Sequence, residues 1–231
     1  ACQRCAHGAG FTGGKSRTRT PRARTRRSYF SRRSPEPAIV RSACEKTRAL
    51  DLVMKCAGEK PYKLAKPSSS NNYSDLISDM KDLLKHTHFA VVSKAIGVLG
   101  MLAEGVGEKL YSNLRPLLGT LLRLSKDKKL TKAVSACLDS WFGNILSFEH
   151  LLEPDSSLAI ATKESKEKNA LARTSALEFL ERCITRGESA GPRAELTPSN
   201  AKGSTQLASQ QLDDSAARVR KSASKTLTAL H

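Results

Sequence analysis

Five segments of this chain share one arrangement, a polar turn followed by an apolar-patterned helix with a small residue at its middle. They read ACEKTRALDLV (43–53), HFAVVSKAIGVL (88–99), KLTKAVSACLDS (129–140), NALARTSALEFL (169–180) and AARVRKSASKTL (216–227). Their aligned small residues are Ala49, Ala95, Ala136, Ala176 and Ala223, separated by 46, 41, 40 and 47 residues. Such spacing fits helical hairpins of the HEAT type, which recur every ~40–47 residues. One hairpin cannot bury its apolar face alone, so successive hairpins must stack, with small residues where neighbours approach closely. The expected fold is therefore all-α, an α-solenoid of HEAT-type hairpins.

Second helices are expected near 73–85, 108–124 and 149–166. The first follows SSSNNYSDL, whose Ser and Asn residues offer N-caps before Leu76, Ile77, Met80, Leu83 and Leu84. Residues 187–205 are rich in Gly, Pro and Ser and predict a loop inside the fourth repeat. The fifth repeat shows only its first helix, so the last repeat reads as incomplete. A chain that begins at Ala1 and ends inside a helical pattern reads as a fragment of a longer protein.

Charge separates two regions. The chain of 231 residues carries 39 Lys and Arg against 22 Asp and Glu, a formal charge of +17. Residues 1–41 hold eleven of the basic residues and one acid, Glu36, which leaves 28 basic and 21 acidic residues in the other 190. Residues 1–38 read as a basic arm that lacks the apolar surface to offset ordering entropy, and disorder is expected there. Residues 39–231 read as the repeat domain. The Arg-rich, acid-poor stretch 15–33 also has the composition of an organellar transit peptide, a weaker reading. No secretory signal is evident, and no apolar run approaches the ~18 residues of a membrane span, since even 89–103 is interrupted by Lys94.

Several local patterns carry no chemistry. Ala9–Ser16 (AGFTGGKS) matches a loose phosphate-loop pattern, but no strand precedes it and an Arg-Thr-Pro run follows where a helix is needed. Cys2 and Cys5 with His7 make at most half a zinc site, without a second ligand pair in the arm. His86 and His88 flank Thr87 in a turn with no acidic ligand nearby and read as solvated. Cys44, Cys56, Cys137 and Cys183 fall at apolar helix positions and read as reduced thiols. Trp141 continues the stripe Ala133, Val134, Cys137, Leu138 and reads as core. The pair Asp213–Asp214 precedes a helix start and reads as a cap. No converging acid–base or nucleophilic set remains, so neither an enzyme nor a metal or cofactor is expected.

The turns carry more information. KDKKLTK (126–132), KEKNALAR (166–173) and DDSAARVRK (213–221), with Lys85 and Lys94, place cations at the same phase of successive repeats, at helix starts. A helix N-terminus carries partial positive charge, so Lys and Arg gain nothing there from the dipole. Repetition at an unfavourable place points to an acidic partner.

With these turns in place, the chain resembles a TOG domain of the microtubule polymerase family (the chTOG, Stu and MOR type), to which CLASP domains are related. The resemblance lies in DLLKHTHFAVVSKAIGVLGMLAEGVGEKLYSNLRPLLGTLLRLSKDKKLTKAVSACLDS, KEKNALARTSALEFLERC and LDDSAARVRKSASKTLTAL. It covers about 40–231 and is most like a second TOG domain. It implies a flat paddle that binds curved αβ-tubulin, or the microtubule lattice, along its intra-repeat loops. It also implies a place in the cytoplasm on the cytoskeleton, at microtubules, the spindle or a microtubule-organising centre, with other spindle or centrosomal proteins as further partners. Carried over by position, the contact residues are Lys85, Thr87 and His88 in the second loop (His86–Phe89), and Lys126, Lys128 and Lys129 in the third. Lys168, Asn169 and Arg173 fall in the fourth loop, and Arg218, Arg220 and Lys221 in the fifth. One departure stands out. The family's first loop has a W-K-x-R-x-x-A-L pattern, and aligning its Ala-Leu on Ala49 and Leu50 puts Ala43 at the Trp, with Cys44 and Lys46 at Lys and Arg. An aromatic hot spot of that kind is worth ~2 kcal/mol or more. Two alternatives follow: a HEAT scaffold for a non-tubulin cytoskeletal or spindle protein, and, less favoured, nucleic-acid binding by the arm, which would be strongly salt-dependent.

Overall fold

The run FAVVSKAIGVLGMLAEGV is apolar on nearly every side, and a helix of that kind belongs inside. In the computed structural model of the chain it forms α3 (Phe89–Val106), with Val91, Val92, Ala95, Ile96, Val98, Leu99 and Leu102 all buried. The structure describes residues 38–62, 64–68, 73–153, 156, 158–159, 162, 170–191 and 194–231. Among them no β-strand forms, and the ordered elements are helices. The expected arm, all but Ala38, lies outside the described residues, as does much of the expected helix at 149–166.

The first helices of the hairpins are α1 (Ala38–Ala57), α3, α6 (Lys128–Trp141), α8 (Ala170–Arg186) and α10 (Ala217–Thr228). Each packs on the next in chain order. The second helices are α2 (Ser74–Leu83), the pair α4 (Tyr111–Leu114) and α5 (Leu118–Leu124), α7 (Phe148–Leu152) and α9 (Pro198–Ser209). Here α2 packs on α3, α5 on α6 and α8, and α9 on α7 and α10. This is the expected solenoid of stacked hairpins.

Polar contacts tie the first helices side by side. Asp51 of α1 pairs with Lys94 of α3, and the Trp141 indole N–H of α6 donates to the Leu99 carbonyl of α3 at 3.2 Å. Arg182 Nε of α8 donates to Asp139 of α6 at 3.0 Å, and the Thr226 hydroxyl of α10 donates to the Leu177 carbonyl of α8 at 3.2 Å. Trp141 is fully buried, as its stripe predicts.

The small-residue register holds only in part. Ala95, Ala176 and Ala223 are fully buried, but Ala49 and Ala136 are exposed. Ala95 and Ala223 each lie seven residues past their N-caps, His88 and Ala216, whereas Ala136 lies nine past Asp127. Val134 fills the equivalent place in α6. The α3 and α6 backbones approach instead at Gly100, where a Cβ would sit 3.6 Å from Cys137 Cα.

Two connecting regions also differ from expectation. The segment 108–124 is not one helix: 3₁₀ turns at Gly107–Leu110 and Arg115–Leu117 divide it, the first entered at a Gly107 φ of 74° and the second containing Pro116, which lacks an amide donor. The predicted loop 187–205 contains most of α9, which starts at Thr197-Pro198: the Thr197 hydroxyl accepts the Asn200 N–H at 3.2 Å and proline sits in the first turn. The α2 cap also changes, since the N-cap is Tyr73 in the left-handed region (φ 58°), without a side-chain cap. Its hydroxyl donates to the Ala65 carbonyl at 2.7 Å.

Most buried apolar residues form one core from Ala43 to Ala194, and a smaller cluster of Leu177, Ala208, Val219 and Ala223 closes the C-terminal end. By length and composition Phe89–Leu124 is apolar enough to cross a membrane, contrary to the run-length expectation. In this fold its first half is α3, sandwiched between α1 and α6.

Candidate functional site

The turns that start α3, α6, α8 and α10 are where the sequence concentrates cations, and each is built differently. Before α3, the His88 N–H donates to His86 Nδ1 at 3.0 Å, so an imidazole closes the turn in place of a side-chain helix cap. Lys85 turns back to Asp82, with its ammonium 2.9 Å from the carboxylate. The Asp82 carboxyl is held below its usual range, first by that hydrogen bond and then by the Lys85 charge. Thr87, His88 and Phe89 are exposed, and the His88 and Phe89 rings stack at 5.7 Å with a 12° interplanar angle.

Before α6, the Asp127 carboxylate accepts the Lys129 N–H at 2.9 Å and caps the helix. This satisfies an orphan donor and places a negative charge at the positive end of the dipole. Thr131 Oγ1 donates to the Ser125 carbonyl at 3.0 Å and closes the turn. Lys126, Lys128 and Lys129 are left exposed. The Lys129 ammonium lies 5.1 Å from the Phe89 ring centroid, which joins the second turn to the third.

The fourth turn corrects the sequence reading. Lys168 and Asn169 lie outside the described residues. Arg173 is not on the edge at all: its side chain is 1% exposed and engaged with Asp214, whose side chain is 3% exposed. Nε donates to Oδ2 at 2.7 Å and Nη2 to Oδ1 at 3.1 Å, a bidentate pair. Asp214 Oδ1 also accepts the Ala216 N–H at 2.8 Å, which closes the turn before α10 while holding the arginine; the N-cap of α10 is Ala216 without a side-chain cap, so the expected acidic helix cap does not form. The sequence did hold a signal for this pair, since the two residues are 41 apart, one repeat length.

In the fifth turn Arg218, Arg220 and Lys221 are exposed. Arg220 folds back, with Nη1 donating to the Asp214 carbonyl at 2.8 Å and the Ser215 carbonyl at 3.0 Å, so its position follows the turn that Arg173 braces. The turn before α1 lies outside the described residues. Ala43, aligned with the family's tryptophan, is 2% exposed inside α1, which starts at Ala38. A side chain there points into the core rather than off the edge.

Among the described residues the edge thus presents two cationic patches, Lys126–Lys128–Lys129 with Phe89 and His88, and Arg218–Arg220–Lys221. Among the described residues no group of three His, Cys, Asp or Glu is placed to hold a metal. The Cys137 and Cys183 thiols are pushed up by burial and stay protonated, so they offer no nucleophile.

No family model matches the chain. Centrosomal protein 224 of Dictyostelium discoideum is 25% identical over 161 residues, 69% of this chain and 8% of that protein. The chain therefore spans less than a tenth of that relative's length. A solved structure from a study of microtubule plus-end tracking by XMAP215, CLIP-170 and EB1 superposes at a TM-score of 0.64, with 22% identity over 84% of this chain and 78% of that one. A second, from a study of tubulin recruitment and assembly by microtubule polymerases with TOG domain arrays, gives 0.61, with 20% identity over 84% of this chain and 40% of that one.

Proposed function

We propose that this chain, whose fold is that of a TOG domain, is a tubulin-binding module of a microtubule-associated protein. The observation that carries the reading is the exposed row of Lys126, Lys128 and Lys129 at the N-terminus of α6, on the fold used by polymerases described as recruiting tubulin. Three neighbouring ammonium groups repel one another, and an acidic protein surface relieves that repulsion. Binding of αβ-tubulin would draw on this patch and on Arg218, Arg220 and Lys221, with encounter rates that fall as salt screens the charges.

The basic residues of 1–38 would add nonspecific attraction to the acidic lattice. In a longer protein, linkage to further modules would raise avidity without new contacts. Gripping a curved dimer and releasing it as tubulin straightens would promote microtubule growth or organisation, at the spindle or a microtubule-organising centre. The reading involves no catalytic step and no cofactor.

Size-exclusion chromatography with light scattering tests it on the full chain mixed with soluble αβ-tubulin, at low and physiological salt. A one-to-one complex is expected at both. Lys128→Glu with Lys129→Glu should weaken it more than tenfold, since placing like charges across an interface costs several kcal/mol. The absence of a complex at either salt would overturn the reading and leave a HEAT scaffold for another partner.

A further inference from the structure

Phe89 sits at the first position of α3 with its side chain out in solvent. Among the described residues the exposed large apolar side chains are Leu52, Phe89, Leu171 and Leu212; Phe89, at 49% exposure, is the aromatic one. It lies on the edge of turns, between the stacked His88 ring at 5.7 Å and the Lys129 ammonium at 5.1 Å. These contacts restrict the ring without burying it. A pre-positioned aromatic loses little rotamer freedom when a partner covers it, and such residues concentrate at the centres of protein interfaces. The cation–π contact with Lys129 also strengthens as water is displaced around it.

At the position aligned with the family's first-loop tryptophan stands Ala43, a small side chain buried inside α1, so no aromatic contact is made from there. We infer that Phe89 is the apolar anchor of the binding edge, making from the second turn the aromatic contact that Ala43 does not make. The inference rests on the proposed binding of tubulin. It specifies what the partner surface must offer: an apolar recess that takes the ring, rimmed by carboxylates that meet Lys126, Lys128 and Lys129.

The competing role for Phe89 is local, covering the start of α3, and it predicts a change in stability rather than in affinity. Fluorescent αβ-tubulin titrated with the full chain separates the two. Phe89→Ala is expected to weaken Kd about 30-fold, the size of a hot-spot truncation, with the salt dependence unchanged because no charge is removed. Phe89→Trp should bind at least as well as the unsubstituted chain. Phe89→Leu keeps apolar bulk over the helix start but removes the ring, and should still lose most of the affinity at an unchanged melting temperature. Binding of Phe89→Ala within about twofold of the unsubstituted chain, far below a hot-spot effect, would overturn the inference. So would normal binding by Phe89→Leu. If the unsubstituted chain itself forms no complex, the tubulin reading falls and this inference with it; that arm involves no substitution, so the two failures are distinguishable.

Discussion

Between α3 and α6 the turns at the candidate edge meet through Phe89 and Lys129, both open to solvent. Between α8 and α10 they meet through Arg173 and Asp214, whose side chains are 1% and 3% exposed. The helices behind the first contact are joined by close apolar packing, with Gly100 against Cys137 and Trp141 bonded to the Leu99 carbonyl. Behind the second lies a small cluster of Leu177, Ala208, Val219 and Ala223. Where the seam is apolar, its edge cations Lys126, Lys128 and Lys129 stay in solvent. Where the seam is shallow, a cation is drawn in to hold the turns in register. A buried ion pair adds little net stability over an apolar pair, but separating it is costly. Arg173 is thus a positioning residue for the fifth turn and its Arg220.

The largest effect expected is at that pair. Arg173→Ala removes the arginine from the buried Asp214 carboxylate and should cost ~3–5 kcal/mol. Hydrogen exchange should show α10 losing protection first, with α3 and α6 nearly unchanged. Substituting both partners, Arg173→Met with Asp214→Leu, should recover most of the loss. If the single substitution costs under about 1 kcal/mol, as an exposed pair would, the contrast between the two seams fails.

At the apolar seam the sign should depend on size. A Cβ at Gly100 meets Cys137 atoms at 3.6–3.9 Å, ordinary contact distances. Gly100→Ala should therefore gain up to ~1 kcal/mol from helix propensity, while Gly100→Leu should lose ~1–3 kcal/mol through overpacking. Thermal unfolding of the two variants reads both signs. Destabilisation by alanine would show the seam to be tighter than its distances imply.

A third test uses pH. Burial raises the Cys137 thiol above its ordinary value of 9.0, with Glu104 adding a smaller push. The folded state keeps the thiol neutral, whereas the unfolded chain ionises it near 9.0. Its stabilising contribution is complete below that pH and declines above it, by up to ~1.4 kcal/mol per pH unit. Cys183 is raised in the same direction, also chiefly by burial. Denaturant titrations of the unsubstituted chain and Cys137→Ala should converge as pH rises from about 9 to about 10.5, the range in which an unfolded thiol ionises; a constant difference would mean that the thiol reaches water.

The smallest effect should fall between the two seams. Arg182 and Asp139 join α8 to α6 with side chains about one-third exposed, at 33% and 29%. Arg182→Ala should cost only ~0.5–1 kcal/mol, because water screens the pair. A cost near that of Arg173→Ala would erase the distinction between buried and half-open ties.

Helices such as α6 were legible because they bury one face, which writes a 3.6-residue period into the sequence, and α3 because it is apolar on nearly every side. Trp141 followed from that stripe alone. Helix α9 escaped because its Gly, Ser and Asn content outweighed a good start signal at Thr197-Pro198. The register of small residues slipped at Ala136 because repeats of unequal length align only to within a couple of positions, and packing distinguishes Val134 from Ala136 where hydropathy spacing does not.

At the edge, residue order alone was enough to locate the clusters of cations. The part each cation plays emerged only from the packing of the hairpins. Lys128 and Arg173 both read as basic residues near a helix start, yet one stays in water and the other is sealed against Asp214. Burial of a charge depends on whether a counter-charge one repeat away reaches it, and that proximity exists only once the hairpins have stacked. The same holds for Phe89, whose value as an exposed ring appears only when folding sets it beside His88 and Lys129 and turns Ala43 inward.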